Sequence, residues 1–141
     1  MTRIDFYILK DTAGDGPSLF TCRLAEKAIR QGHRIFINAG SARQLQQLDD
    51  LLWTFRAGSF LPHAICEGAD TPPVPVLLGH ATEPADCNDV LVNLSEDVPP
   101  YFCRFNRVAE PVGGDEPQRS AARQRYRFYQ DRGYTLKTHN L

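Results

Sequence analysis

Apolar positions along the chain alternate between short continuous runs and longer stretches at helical spacing. Arg3-Ile4-Asp5-Phe6-Tyr7-Ile8-Leu9, rich in aromatic and branched residues, predicts a first strand. After a polar loop from Lys10 to Gly16, the residues Leu19, Cys22, Leu24, Ala25, Ala28 and Ile29 repeat as one face of a helix. Pro17 suits that helix's first turn and Gly32 its end. Arg34-Ile35-Phe36-Ile37-Asn38 reads as a strand buried on both faces, the mark of a parallel-sheet interior. Ser41 can cap a second helix whose stripe is Leu45, Leu48, Leu51 and Leu52.

This strand–helix–strand–helix opening predicts a single α/β domain over residues 1–141, a three-layer Rossmann-like fold with a central, mainly parallel sheet. Val76-Leu77-Leu78 and Val90-Leu91-Val92-Asn93-Leu94 read as further buried strands, separated from the second helix by a Pro-, Gly- and acid-rich loop over 67–75. Phe102 to Val108 alternates as a strand would, Pro111 to Asp115 reads as a turn, and a last helix runs from Asp115 or Glu116 to Arg132. Gly133 stops it, and Tyr134-Thr135-Leu136-Lys137 predicts a final strand.

The densest apolar stretch is Leu51 to His63, which holds the only tryptophan, Trp53, with Phe55, Phe60 and Leu61-Pro62-His63. Gly58 and Pro62 keep a helix from running far past Ala57. Aromatics just past a helix end either plug the core under a loop or anchor a protein contact; spacing alone favours the plug.

Composition is that of an ordinary globular protein, 42% apolar and 23% charged. No apolar run approaches the roughly 20 residues that span a bilayer, and Met1-Thr2-Arg3-Ile4-Asp5 lacks a signal-peptide layout, so a cytoplasmic protein without membrane contact is expected. Cys22, Cys66, Cys87 and Cys103 stand singly and read as small buried hydrophobes. With the four histidines far apart, no metal site is expected. Net charge is −1 but uneven: from Arg119 onward six basic residues face one acid, giving +5, against −6 for residues 1–118. A basic end on an acidic body suits an anionic partner, or is a solvated face.

Candidate chemistry is sparse. Gly14-Asp15-Gly16-Pro17-Ser18-Leu19 supplies two glycines of a dinucleotide loop but Leu19 at the third position, and Asp15 and Pro17 disfavour a pyrophosphate. No acid for a ribose follows the second strand at Asn38-Ala39-Gly40, and no phosphate-binding Gly-Lys-Ser or nucleophile elbow occurs. Asp49-Asp50 point different ways on a helix. The last helix is more informative. Arg119, Arg123, Tyr126 and Arg127, at i, i+4, i+7 and i+8, share one stripe, while Ala121, Ala122, Phe128 and Tyr129 turn toward the sheet. Guanidinium forks beside an aromatic suit a nucleic-acid backbone or, better on an acidic body, an acidic peptide with an aromatic residue and a free C-terminal carboxylate.

Phe6-Tyr7-Ile8-Leu9, Cys22-Arg23-Leu24-Ala25-Glu26-Lys27-Ala28, Gly32-His33-Arg34, Leu48-Asp49-Asp50-Leu51-Leu52-Trp53, Ser59-Phe60-Leu61-Pro62-His63 and Arg123-Gln124-Arg125-Tyr126 together resemble the chi subunit family of bacterial DNA polymerase III. The match is in order from first strand to last helix and weak over 66–89 and after Gly133. The resemblance implies a non-enzymatic adaptor without cofactor, cytoplasmic and nucleoid-associated during replication. It implies that Trp53, Phe60 and Pro62 meet the psi subunit, with a helicase-like repair protein as an alternative occupant in some members. It further implies that Val112, Arg119, Arg123, Tyr126 and Arg127 hold the acidic C-terminal tail of single-stranded-DNA-binding protein, so that nucleic acid is reached indirectly. Arg119 keeps the charge of the family's usual lysine, whereas Gly113 stands where proline is expected and implies a looser rim. His63 reads as structural rather than as a base. The opposing reading is a nucleotide- or small-molecule-binding Rossmann-like enzyme; a third is direct binding of single-stranded DNA by the last helix.

Overall fold

The computed structural model describes residues 2–10, 16–55, 61–67 and 71–141. Its strands are β1 (Arg3–Ile8), β2 (Ile35–Asn38), β3 (His63–Ile65), β4 (Val76–Gly79), β5 (Val90–Asn93), β6 (Arg107–Val112) and β7 (Thr135–Asn140). Its helices are α1 (Gly16–Arg30), α2 (Ala42–Thr54) and α3 (Glu116–Asp131). All seven strands join one sheet in the order β3-β4-β2-β5-β6-β1-β7, with every pairing parallel.

Side-chain alternation divides the core into two layers on either side of this sheet. Ile35, Ile37, Val76, Leu78, Val92 and Ala109 pack beneath α1 and α2 through Cys22, Ala25, Leu48 and Leu52. The alternate residues Ile4, Phe6, Phe36, Leu77, Leu91 and Val108 meet α3 through Ala122 and Tyr129, and the segment carrying Tyr101, Phe102 and Phe105. Burial on both faces is why β2, β4 and β5 read as unbroken apolar runs instead of alternating ones.

Helix starts follow one local device used twice. Ser41 Oγ accepts the Gln44 N–H at 3.1 Å while Gln44 Oε1 reaches back to the Gly40 N–H at 2.6 Å. At α3, Asp115 Oδ1 accepts the Gln118 N–H at 2.8 Å and Gln118 Oε1 takes the Gly113 N–H at 3.0 Å. Both resemble a capping box, with the side chain three residues in satisfying a donor ahead of the helix. Gly32 and Gly133, at φ +80° and +81°, follow the ends of α1 and α3 in the left-handed region.

Several sequence expectations need correction. The alternating stretch Phe102 to Val108 is not a strand throughout: Phe102–Arg104 forms a 3₁₀ turn and the strand begins at Arg107. Tyr101, Phe102 and Phe105 all point into the core from that turn, a pattern that mimics alternation over so short a span. Pro111 and Val112 belong to β6 rather than to a turn. The proline is tolerated because β5 pairs with β6 only from Arg107 to Ala109, leaving Pro111 matched with β1 alone. A short edge strand, β3, begins at His63 where no strand was expected, and the last strand starts at Thr135 and runs on to Asn140; α2 stops at Thr54, within the limit expected at Ala57. Cys103 is exposed; the other three cysteines are buried, Cys22 and Cys87 with thiols pushed by burial up to about 12 and about 11.

At the β7 end the α1 face closes with charge as well as with the Tyr7 ring, which stacks on His139 at 4.7 Å. Asp5, almost wholly buried, takes Arg107 Nη2 at 3.1 Å from β6, His139 Nε2 at 3.0 Å from β7 and Arg3 Nε at 3.3 Å. Burial alone pushes its carboxyl up, but the hydrogen bonds from His139 and Arg107 and the charges of Arg3 and Arg107 outweigh it, leaving the pKa below 3.8. Asp5 therefore contributes its full stability above 3.8 and loses it as pH falls through the lower folded value. Asp5→Asn should cost about 1–3 kcal/mol at pH 7. In urea unfolding at pH 7 and pH 3 the gap to the parent protein should narrow at acid pH; a constant gap would assign the loss to packing.

Candidate functional site

Because every strand is parallel, all C-terminal strand ends share one edge of the sheet. Near that edge, under α3, lies a cavity of about 290 Å³. Its floor is Phe6 and Ile8 of β1, Val112 of β6 and Thr138 of β7; its wall is Arg119, Ala122, Arg123 and Tyr126 of α3. The Tyr126 ring sits 5.3 Å from Phe6, tilted by 59°, so the floor is aromatic and aliphatic with guanidinium groups at its border.

The rotation of α3 that aims these residues is set from its other flank. Glu110 of β6 lies between Val108 and Val112 on the same sheet face and is fully buried. Arg125 Nε donates to it at 2.9 Å, Tyr129 Oη at 2.8 Å and Asn93 Nδ2 at 3.0 Å. Arg125 Nη1 also reaches the Glu96 carbonyl at 3.0 Å. Burial raises the Glu110 pKa; the Arg125 charge and the hydrogen bonds from Asn93, Tyr129 and Arg125 only moderate that rise. In the sequence Arg125 stood out as one of six basic residues from Arg119 onward, and Glu110 carried no expectation. The available signal was the spacing of Arg125 and Tyr129 at i, i+4, on the flank away from Arg123.

Of the five residues expected to form a tail pocket, Val112, Arg119, Arg123 and Tyr126 surround this one cavity. Arg127 does not line it; one position past Tyr126, it is exposed on the outer side of α3. Arg119 Nε is buried and finds no acceptor among the described residues. Arg123 Nη2 lies 2.5 Å from Glu116 Oε1. The looser rim expected from Gly113 is not what the fold builds. The Gly113 N–H is held by Gln118, a bond proline cannot make, and a Cβ there would come within 2.4 Å of Gln118 Oε1.

The second candidate surface lies at the opposite corner. α2 runs back toward the N-terminal edge of the sheet, where Trp53 is 56% exposed, which overturns the core-plug reading. Its ring meets His63 edge-on at 4.8 Å. His63 Nδ1 donates to the Leu61 carbonyl at 2.6 Å, and Nε2 stands 3.3 Å from Asp49 Oδ1, so the imidazole bridges β3 to α2 in the structural role expected of it. Pro62 is exposed beside it; Phe60 lies outside the described residues.

These features define a Rossmann-like α/β protein with an arginine-bordered apolar cavity at one corner and an exposed tryptophan at the other. The chain belongs to the family described as DNA polymerase III chi subunit, HolC, which it matches over residues 1–137. It is 39% identical over 141 residues to the DNA polymerase III subunit chi of Pseudomonas aeruginosa, an alignment spanning 100% of this chain and 98% of that one. The subunits of the same name in Escherichia coli and Haemophilus influenzae are 29% and 27% identical, over 98% and 96% of this chain and 97% and 95% of theirs.

Removing the cation that compensates Glu110 tests the helix clamp. Arg125→Met should cost about 3–5 kcal/mol at neutral pH, the usual penalty for stranding a buried charge. Since a protonated Glu110 tolerates burial, that loss should shrink as pH is lowered toward 4.5. Chemical denaturation at pH 7.5 and pH 5 measures it; a pH-independent loss would mean that Arg125 acts by packing alone.

Proposed function

We propose that this chain is the chi subunit of a DNA polymerase III and serves DNA replication as a non-catalytic adaptor. One face, at Arg119, Arg123, Tyr126 and Val112, takes the acidic C-terminal tail of single-stranded-DNA-binding protein. The other, around Trp53 and Pro62, takes the psi subunit of the clamp-loader complex. The observation that carries this reading is the cavity under α3: an apolar floor sized for one aromatic side chain, bordered by two arginines. An apolar pocket binds a terminal phenylalanine, while guanidinium forks bind its carboxylate and the preceding aspartates.

The placement of the two faces supports an adaptor. The cavity sits over β6, β1 and β7 near the C-terminal edge, on the α3 side. Trp53 sits on the α1–α2 side, beside the first residue of β3, at the opposite end of the strand order. Neither occupant would obstruct the other.

The nucleotide-binding alternative draws less support. Beyond the C-terminal ends of β2 and β5, where parallel sheets usually hold nucleotides, is a cavity of about 540 Å³ bordered by Glu83, Glu96 and Asp97. No lysine or arginine is among its described lining residues. Pro17, in the first turn of α1, withholds an N–H that a phosphate would use.

Calorimetric titration with a short acidic peptide ending in Asp-Phe should give micromolar-range binding that weakens with salt. An amidated peptide end, or Arg123→Ala, should weaken it about tenfold or more, as expected on losing a charge-assisted pair. No binding at low salt would remove the tail assignment.

Trp53→Ala should weaken capture of psi by about tenfold or more, since a buried interface tryptophan is commonly worth 2 kcal/mol or more. The same variant should leave affinity for the tail peptide unchanged. If both affinities fall together in a pull-down and titration pair, the two faces are not separate.

A further inference from the structure

We infer that Glu116 is an internal competitor for the arginine row, occupying Arg123 in the free protein and setting how much negative charge an occupant of the cavity must bring. The inference rests on the tail-binding reading above and deepens it.

Glu116 opens α3 and lies on the same helical stripe as Arg119, Arg123 and Arg127. Its carboxylate reaches two turns along the helix to Arg123, with Nη2 2.5 Å from Oε1. Both side chains are mostly exposed, at 62% for Arg123 and 73% for Glu116, so the pair is held by its own attraction and can part without disturbing the core. Arg119, one turn in from Glu116, makes no ion pair among the described residues, and its buried Nε lacks an acceptor. Of the two arginines bordering the cavity, one is therefore open and one already holds a carboxylate.

This arrangement changes what binding gains. An incoming carboxylate meets Arg119 without competition, but engages Arg123 only by displacing Glu116. That second step exchanges one carboxylate for another, so part of the attraction of Arg123 cancels, limited by the weakness of an exposed pair. The displaced Glu116 stays within a Debye length of the acidic occupant and repels it, which further lowers the net gain from engaging Arg123. An occupant with one weak anionic group cannot offset the displacement; a terminal carboxylate with adjacent aspartates can. The exchange also releases fewer counterions than a bare arginine would, so the salt dependence of binding is shallower than the number of arginines implies.

A simpler role for Glu116 is to stabilise the start of α3, where a carboxylate favours the positive end of the helix dipole. Glu116→Gln and Glu116→Asp separate the two. The aspartate keeps the charge at the helix start but is too short to span two turns, so it frees Arg123 while retaining most of the repulsion. Titration with the acidic peptide ending in Asp-Phe, at several salt concentrations, should show Glu116→Gln binding about 3- to 10-fold tighter than the parent at low salt, with a steeper salt dependence. Glu116→Asp should fall between them. In an Arg123→Ala background, Glu116→Gln should lose most of its effect, since its partner is gone.

Equal affinity and salt slope for Glu116→Gln and the parent, with Arg123→Ala still weakened, would overturn the competitor role and leave the tail site standing. A lowered melting temperature without a change in affinity would do the same in favour of the helix-start role. Failure of parent and Glu116→Gln alike to bind the peptide at low salt would overturn the tail reading and this inference with it.

Discussion

A fully buried carboxylate, Glu110, governs how α3 sits on the sheet. A charge in that position is tolerated only when it is paired and hydrogen-bonded, and three side chains from two elements meet the need: Arg125 and Tyr129 of α3 and Asn93 of β5. Two of the three lie one turn apart on the helix, so satisfying Glu110 fixes both the rotation and the height of α3. The opposite flank then has no choice of direction. Arg119, Arg123 and Tyr126 must stand over Phe6, Ile8 and Val112, and the cavity follows. Apolar packing by Ala122 and Tyr129 would hold the helix down, but it is less directional and would not by itself select the rotation.

The same parallel sheet separates the two candidate faces. Parallel pairing puts every strand's C-terminal end on one edge, and each connecting helix must return to the other. The row bordering the cavity comes from the first half of α3, at the C-terminal edge; Trp53 comes from the end of α2, at the N-terminal edge. Their separation is a consequence of topology and owes nothing to the surface residues themselves. The two-sided core of the sheet makes one rigid body that carries both candidate faces, as the proposed adaptor role requires.

At the cavity, attraction is divided between groups that are ready and groups that are engaged. Arg119 has a buried N–H without an acceptor among the described residues, whereas Arg123 is held by Glu116 on the same helix. Gln118 and Asp115 tie the rim at Gly113 to the start of α3 through three hydrogen bonds. The border is thus organised before anything binds, which limits the ordering cost an occupant would meet.

Much of this was legible in the chain. Continuous apolar runs announced a parallel sheet covered on both faces, helical spacing announced α1, α2 and α3, and the stripe of Arg119, Arg123 and Tyr126 is local geometry that any helix there would produce. Order along a single element is set by neighbours a few residues away, so sequence suffices for it. What the chain alone left open depends on residues far apart in sequence. By spacing alone Trp53 read as core, because exposure is decided by how distant elements pack, and in the folded chain Trp53 is 56% exposed. Pro111 read as a turn because its tolerance depends on where β5 stops pairing. Arg125 was legible only as one basic residue among six because its partner, Glu110, lies fifteen residues away on another element. Pairing, covering and the burial of charge are long-range events, and only the tertiary structure decides them.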